Sequence, residues 1–404
     1  MHDLTSFGLT VLLVAGALSA ALLASKVSAR TSIPSAALFL VAAAFASDLF
    51  PSLVVSIGSV ERVGTVALIV ILFDGGSSIG LRRFREAAIP IASLGVLGTF
   101  ATAGLVALFV HGVFGLGWIT AGLLGAAIAP TDPAVMFSVL GDREIGGRTG
   151  TILEGESGAN DPVGIALMLG MIELATHSGA SFWVVVRVFG EQMSIGLAIG
   201  IAGGLLESRL LRRVALPSAG LYTVRTLALA GIVYGAAAVA HGSGFLAVFV
   251  AGLIVGDVKA PFKHEIEVFQ DGLSTIGEVL VFVALGLTIG ISSLEASRWL
   301  EGLAIAAFVA LVARPIVAGA LLAPAHLRPG ERMFVTWGGL KGAVPILLAA
   351  FAVAQHVHDA QRIYETVFVV VLASVVVQGG TIQFAARRFG VEMRRVTPRD
   401  EPTG

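Results

Sequence analysis

Long apolar stretches follow one another along almost the whole 404-residue chain, and they constrain its fold more than any other feature. A helix needs about 20 apolar residues to cross a bilayer core of about 30 Å. Only 13% of the residues are charged, well below the share of about 25% in soluble domains. The sequence therefore predicts an all-α membrane protein with thirteen transmembrane helices, at approximately residues 6–25, 33–50, 62–79, 87–111, 117–140, 149–175, 181–208, 222–240, 243–257, 266–291, 298–322, 331–355 and 363–386.

Basic residues are concentrated in every second predicted loop, as at residues 26–30 and 209–213. Because loops rich in lysine and arginine stay in the cytoplasm, we expect a multi-pass protein of the cell inner membrane, with the N-terminus outside and the C-terminus cytoplasmic. We expect a single membrane domain over residues 1–404, ending in a short cytoplasmic tail, 388–404. The net charge of −1 and the lack of cysteine predict no nucleic-acid partner and no thiolate site. Membrane lipids are the expected surroundings, and the sequence indicates neither a cofactor nor a soluble partner.

Four charged residues are predicted to lie near the middle of the membrane. Asp161 comes about 12 residues into the sixth span, which places it about 18 Å deep at 1.5 Å per residue. Asp132 lies at a similar depth in the fifth span, and Arg314 and Lys341 are central in spans eleven and twelve. Charged groups at this depth are costly and mark function by default. We therefore expect these residues to surround a transport site.

The sixth span contains the segment LEGESGANDPVG, residues 153–164. Residues four apart share a face of a helix, so Ser157 and Asp161 form one stripe that suits an alkali cation. Glu156 and Asn160 form a neighbouring stripe that suits a basic partner from another helix. The sequence thus predicts ion binding on one face of this span and a supporting charge pair on the next.

Two further carboxylates are predicted nearer to the cytoplasm. Glu154 stands two turns from Asp161 on the cytoplasmic side, and Asp74 lies near the cytoplasmic end of the third span. Both are candidates for a funnel that leads ions to the site. For Asp74 a capping role is an equal alternative.

Two predicted spans are interrupted by proline or glycine. Span five contains AAIAPTDPAVMF, residues 126–137, and span twelve contains GGLKGAVPILLA, residues 338–349. These two spans cross the membrane in opposite directions, a pattern typical of inverted-topology repeats with discontinuous helices that cross at the site. Carbonyl ends and Asp132 would favour a cation there. Lys341 would either neutralise the facing carbonyls or pair with Glu156.

These segments resemble the monovalent cation/proton antiporters of the NhaP and sodium/proton-exchanger branch. The resemblance rests on Thr131-Asp132-Pro133, on residues 156–162 and on residues 338–345, and the predicted topology extends it to the whole chain. It implies a homodimer, with a dimer-interface part at approximately 1–80 and 222–291 and a moving core at approximately 87–208 and 298–387.

The resemblance also implies which residues hold the ion. Asp161 would bind either the proton or the metal cation, Na⁺ or K⁺, and the other residues around the ion would be Asp132, Asn160, Ser157, Thr131 and Glu156. The Asn160-Asp161 pair implies electroneutral exchange of one cation for one proton. Many relatives have arginine at the position of Lys341, and Arg314 is a second source of a guanidinium for Glu156 or Asn160.

The predicted function is therefore secondary active antiport, with Na⁺ as the favoured cation and competition with H⁺ at Asp161. Burial disfavours a charged carboxylate and a bound cation favours it, so either ion can occupy it during alternating access. The alternatives are a K⁺/H⁺ antiporter of the same fold, supported by the segment LFDGGSSIG at residues 72–80, and a cation-coupled symporter for organic anions. A membrane sensor without transport is a further alternative. No pattern indicates an enzyme.

Overall fold

The structure, a computed structural model, describes residues 33–132, 134–140, 143–177 and 179–395, together with residues 8, 12, 15, 16, 19 and 24. The first predicted span, 6–25, lies mostly outside the described residues, as does the end of the tail from residue 396.

Helices make up nearly all of the described chain, as the all-α prediction requires. Three of the long helices contain a π-helical turn, at Ser93–Gly98, Val309–Ala313 and Ser374–Gly379. Short 3₁₀ turns occur at Pro51–Leu53, Ile291–Ser293 and Ala323–Ala325. The helices are α1 (Ser35–Leu49), α2 (Ile57–Glu86), α3 (Ala88–Phe114), α4 (Trp118–Ile128), α5 (Ala134–Leu140), α6 (Gly147–Thr176), α7 (Trp183–Arg213), α8 (Ala219–Val239), α9 (Gly244–Gly256), α10 (Lys263–Gly286), α11 (Ala296–Leu321), α12 (Pro329–Trp337), α13 (Ala343–Ala354) and α14 (Ala360–Arg388).

Among the described residues, 7 helices are long and apolar enough to cross a membrane: α2, α3, α7, α8, α10 with the turn that follows it, α11 and α14. Helices α1, α4, α9 and α13 are apolar but shorter. Large apolar side chains such as Trp183, Ile232, Leu300 and Phe384 are exposed on the helix surfaces. Such a surface is unfavourable in water and suits hydrocarbon. The fold is thus that of a multi-pass membrane protein.

Helices α2 and α9 approach each other closely because small residues line their contact. A Cβ atom at Gly76 would lie 2.5 Å from the carbonyl oxygen of Phe249, and one at Gly252 would lie 2.5 Å from that of Phe73. Side chains at these positions would separate the two backbones, which is why glycine is used where membrane helices meet. Helix α10 also packs against α2, and α9 packs against α7.

Two interruptions bring non-helical backbone into the protein interior. The first separates α4, which ends at Ile128, from α5, which begins at Ala134, and the second separates α12 from α13. The amide of Asp132 donates a hydrogen bond of 2.8 Å to the carbonyl oxygen of Leu340. The two interruptions therefore lie side by side. The hydrogen bond between them satisfies one amide of the first interruption and one carbonyl oxygen of the second, which would otherwise lack a partner in a helix.

A short two-stranded sheet is the only sheet in the described residues. Strand β1 (Arg143–Ile145), which precedes α6, pairs antiparallel with β2 (Met393–Arg395), which follows α14. The pairing places Glu144 opposite Arg394. The sequence predicted a short cytoplasmic tail from residue 388 and no strand, so this pairing was not foreseen. It attaches the start of the tail to the loop between α5 and α6.

Candidate ion-binding site

Helix α6 is buried along most of its length, which places its polar residues away from lipid. It packs against α2, α3, α4, α7 and α9. Glu156, Ser157, Asn160 and Asp161 are all buried, with Glu156 only 1% and Asp161 only 5% exposed. Burial at this level is compatible with a charge only where a counter-charge or hydrogen bonds compensate for lost hydration. The partners of each residue therefore decide its role.

Glu156 has a complete counter-charge. Arg314, which follows the π-helical turn of α11, donates through Nη2 to Oε2 at 2.8 Å and through Nη1 to Oε1, so the guanidinium holds both carboxylate oxygens. Nη2 also donates to the carbonyl oxygen of Val335 at 3.2 Å. Gly339 leaves room for this guanidinium, because a Cβ atom there would collide with it. Of the two basic residues considered for Glu156, Arg314 is the one that binds it.

Lys341 binds the first interruption instead. Its Nζ atom donates to the carbonyl oxygens of Ala129 at 2.9 Å and of Pro130 at 3.0 Å. Its backbone amide donates to Ser374 Oγ at 2.9 Å, and Ser374 donates to Gln378. Lys341 thus neutralises the carbonyl end of α4, one of its two predicted roles. Ser374 and Gln378 were missed by the sequence analysis, although their spacing of four residues within an apolar span was a usable signal.

The Asn160-Asp161 pair has fewer partners. Asn160 Nδ2 donates to Thr131 Oγ1 at 2.7 Å, which joins α6 to the first interruption. Within the described part of the chain, Asn160 Oδ1 and Asp161 Oδ1 are buried and have no hydrogen-bond partner. Buried oxygens of this kind are rare and call for an explanation such as an ion. Ser157 lies one helical turn before Asp161 on the same stripe.

Asp132 lies in the first interruption, and its amide donates to Leu340 of the second. Its carboxylate rests against Gly342, where a Cβ atom would collide with it. Asp161 is within electrostatic range of both Asp132 and Lys341. The structure therefore brings together Thr131, Asp132, Asn160, Asp161 and Lys341, with the Glu156–Arg314 ion pair beside them.

The two funnel candidates lie outside this cluster. Asp74 of α2 lies close to Ser274 and within electrostatic range of Asp271, both on α10. Glu154 is partly buried on α6. The contact of Asp74 with α10 was not predicted, because sequence spacing within one span carries no information about which helix faces it.

The oxygen atoms of this cluster match the preference of hard cations for oxygen ligands. Among the residues that the structure describes, no group of ≥ 3 His, Cys, Asp or Glu residues could hold a metal ion. A cation here would have to draw on hydroxyl and carbonyl oxygens in addition to Asp132 and Asp161.

Comparison with known proteins places the chain in a family. Residues 14–388 match the family described as "Sodium/hydrogen exchanger, transmembrane". The K(+)/H(+) antiporter NhaP of Alkalimonas amylolytica is 33% identical over 406 residues, which cover 98% of this chain and 69% of that protein. The K(+)/H(+) antiporter NhaP2 of Shewanella sp. (strain ANA-3) is 34% identical, and the match covers 94% of this chain and 67% of the relative. The low-affinity Na(+)/H(+) antiporter NhaS1 of Synechocystis sp. is 28% identical over 81% of this chain.

Solved structures show the same fold. The sodium proton antiporter MjNhaP1 from Methanocaldococcus jannaschii, in its structure at pH 8, superposes with a TM-score of 0.79 at 22% identity and covers 97% of this chain and 100% of that chain. At this identity the likeness concerns the fold alone, while the family match and the relatives at 33–34% identity concern the sequence itself. The chain belongs to the sodium/hydrogen exchanger family, as a monovalent cation/proton antiporter of the NhaP branch, and it is a transporter rather than an enzyme.

Proposed function

We propose that this protein exchanges one alkali cation for one proton by alternating access, with both ions competing for the Asp161 carboxylate. The observation that carries the proposal is the buried Oδ1 atom of Asp161, which has no hydrogen-bond partner among the described residues. A buried carboxylate in this state is stabilised by a proton or by a cation, and by only one of them at a time.

The proposed ligands of the cation are Asp161, Asp132, Ser157 and Thr131. Asn160 positions Thr131 through the bond of 2.7 Å between Nδ2 and Oγ1, so the Thr131 oxygen is held at the edge of the site. Thr131 and Asp132 lie where α4 has ended and α5 has not begun. The freed backbone of such an interruption offers carbonyl oxygens to a dehydrated ion.

In this proposal the neighbouring charged side chains keep the same partners throughout the transport cycle. Glu156 is neutralised by Arg314, and Lys341 is held by two backbone carbonyls. If only Asp161 changes its occupant, one cation replaces one proton and the exchange is electroneutral. Glu154 and Asp74 would guide cations to the site from the cytoplasm.

The proposed architecture is that of two inverted repeats with thirteen spans, in which the interruptions at 129–133 and 338–342 belong to discontinuous helices that cross at the site. The hydrogen bond between Asp132 and Leu340 supports this arrangement. We further propose a homodimer in the inner membrane, with the C-terminus in the cytoplasm. The close packing of α2, α9 and α10 supports a rigid dimer part at about 1–80 and 222–291, against which a core at about 87–208 and 298–387 moves.

The identity of the principal cation is proposed from the relatives rather than from the sequence motifs. The resemblance carried by the sequence motifs favours Na⁺, and the segment at residues 72–80 supports K⁺ as the alternative. The relatives at 33–34% identity are named K(+)/H(+) antiporters, while the relative at 28% identity is named an Na(+)/H(+) antiporter. We therefore propose K⁺ as the principal cation and Na⁺ as a second substrate.

Purified protein in liposomes loaded with a pH-sensitive dye tests the choice of cation, the stoichiometry and the role of Asp161. Adding K⁺, Na⁺ or Li⁺ to wild-type liposomes should release protons from the lumen, with the lowest apparent KM for K⁺, and an imposed membrane potential should leave the rate unchanged. The Asp161→Asn variant should show no exchange. Exchange that persists in this variant would remove Asp161 from the mechanism, and a rate that follows the membrane potential would overturn the one-to-one stoichiometry.

A further inference from the structure

A buried hydrogen bond joins the two parts of the molecule that are proposed to move against each other. Tyr364, near the start of α14, is 0% exposed, and its hydroxyl oxygen lies 2.5 Å from Thr288 Oγ1 in the turn that follows α10. Thr288 donates its one hydroxyl hydrogen to the carbonyl oxygen of Leu285 at 2.6 Å. Tyr364 is therefore the donor and Thr288 the acceptor of the bond between them.

The acceptor is held in the part that contains α1, α2 and α10. The amide of Val55, in the loop before α2, donates to the carbonyl oxygen of Leu287 at 3.3 Å. Ser47 of α1 donates to the carbonyl oxygen of Ile289 at 2.9 Å. Both chain neighbours of Thr288 are thus bound to other segments of the same part. An acceptor that is fixed in this way cannot follow a donor that moves away.

The donor is held in the core by α11. Two residues before Tyr364, Arg362 forms an ion pair with Glu301 of α11, and two residues after it Thr366 donates to the same carboxylate at 3.4 Å. A Cβ atom at Gly302 would collide with α14, so the two helices are in close contact at this level. A movement of the core against the other part would therefore stretch the hydrogen bond that Tyr364 donates.

This bond lies between the proposed site and the side of the membrane opposite to the tail, here called the far side. Tyr364 lies ten residues before Ser374, which accepts the amide of Lys341 at the site, and is therefore about 15 Å away along α14. Helix α14 continues past Ser374 to the tail, and α13 leads from the site towards the start of α14. Leu347 of α13 is 1% exposed, and a Cβ atom at Gly64 of α2 would lie 2.9 Å from it. Apolar packing thus closes the contact between α13 and α2 on the far side of the site.

We propose that the Tyr364–Thr288 hydrogen bond is a latch that holds the core in the orientation with the far side closed. The proposal rests on the proposed function, since it requires a core that moves. Opening towards the far side, which the proposed orientation makes the outside, separates Leu347 from α2 and Tyr364 from Thr288. Water in the opened contact can then bind both hydroxyl groups, so the net contribution of one such bond is modest. The latch accordingly biases the equilibrium between the two orientations and does not block it.

A single cysteine can report this opening, because the chain contains none of its own. Leu347→Cys protein is placed in vesicles of uniform orientation with the tail inside, and a membrane-impermeant maleimide is added outside. Tyr364→Phe in this background removes only a hydroxyl group and should raise the labelling rate about fivefold. Thr288→Val removes the acceptor, keeps nearly the same shape and should have the same effect. Thr288→Ser retains the hydroxyl group and should be labelled at the rate of the parent.

A double variant and a matched control separate the latch from a general loosening of the fold. Tyr364→Phe/Thr288→Val should be labelled no faster than either single variant, because both changes remove the same bond. Tyr222→Phe is the control, since Tyr222 is 1% exposed and its hydroxyl oxygen accepts from the amide of Leu216 at 3.2 Å, within the segment that joins α7 to α8. It should be labelled at the rate of the parent. An unchanged rate in Tyr364→Phe, additive effects in the double variant, or an equal rise in Tyr222→Phe would each overturn the proposal.

Exchange of K⁺ for protons, measured in the same vesicles, distinguishes failure of the latch from failure of the proposed function. If wild-type protein exchanged no alkali cation, the proposed function would fail, whatever the labelling rates. If exchange is present and the labelling of Tyr364→Phe equals that of the parent, the latch alone fails. If Tyr364→Phe is recovered in low yield, Thr288→Val tests the same bond from the other side.

Discussion

Glu156 and Asp161 stand five residues apart on α6 and are almost equally buried, at 1% and 5% exposure, yet their surroundings are opposite. Both oxygens of Glu156 accept hydrogen bonds from Arg314. Asp161 Oδ1 accepts none from the described residues. Burial alone therefore does not identify a transport residue. We propose that the fully paired Glu156 stabilises the structure, whereas the incompletely paired Asp161 is available to an ion.

Arg314→Ala should produce the largest effect on stability, because it leaves Glu156 buried without its counter-charge. Removing one partner of a buried ion pair typically costs about 3–5 kcal/mol. The midpoint of thermal unfolding in detergent should fall sharply, and yield should fall with it. The double variant Glu156→Leu/Arg314→Met should recover most of the midpoint, since replacing both partners by apolar groups is often neutral. If Arg314→Ala were as stable as wild type, the Glu156–Arg314 pair would not be the charge pair that stabilises the structure.

Lys341→Met should have a smaller effect, because it removes the donor that serves Ala129 and Pro130. Hydrogen bonds that involve a charged group are worth about 1.5–3 kcal/mol. We expect a loss of stability in that range, measured by thermal unfolding, together with slower exchange in liposomes. Lys341→Arg keeps the charge and should retain more of the stability. Equal losses in both variants would mean that the fit of the ammonium group, rather than its charge, matters at the carbonyl end of α4.

Sequence patterns predicted the parts of the fold and site that depend on neighbours along the chain. Helical spacing grouped Ser157 with Asp161 and Glu156 with Asn160, and proline and glycine marked the positions of both interruptions. These features follow from local geometry, because a helix repeats every 3.6 residues and proline lacks an amide hydrogen. The family was also predicted from these motifs, and the comparisons confirm it.

Contacts between helices could not be predicted in the same way. The spacing left both Arg314 and Lys341 open as partners of Glu156, and only the packing of α11 beside α6 and α12 decides for Arg314. The pairing of β1 with β2 depends on residues 143–145 and 393–395, which are far apart in the chain. Neither the partner of Glu156 nor the pairing of β1 with β2 is encoded in a local pattern, since each depends on which surfaces meet after the helices have formed.

Gly342→Ala tests whether Asp132 contributes to the ion-binding site. A Cβ atom at Gly342 would collide with the Asp132 carboxylate and move it, while the Glu156–Arg314 pair would stay in place. If Asp132 holds the cation together with Asp161, the apparent KM for K⁺ should rise about tenfold, which corresponds to about 1.4 kcal/mol. Gly338→Ala is the control, since its nearest atoms would lie at 3.2 Å or more. Similar KM values in the two variants would argue against Asp132 as a ligand.

Asp161→Asn should have the smallest effect on stability, although we expect it to abolish exchange. The substitution removes a buried charge whose Oδ1 atom has no partner among the described residues, and it preserves the shape of the side chain. We expect the free energy of unfolding to change by less than about 1 kcal/mol, or to increase, because a buried charge without compensation is unfavourable. Glu156→Gln is the matched comparison, because the same chemical change there weakens a complete ion pair and should lower the unfolding midpoint. If Asp161→Asn destabilised the protein as much as Glu156→Gln does, both carboxylates would be structural, and the distinction between a paired charge and an available one would not hold on α6.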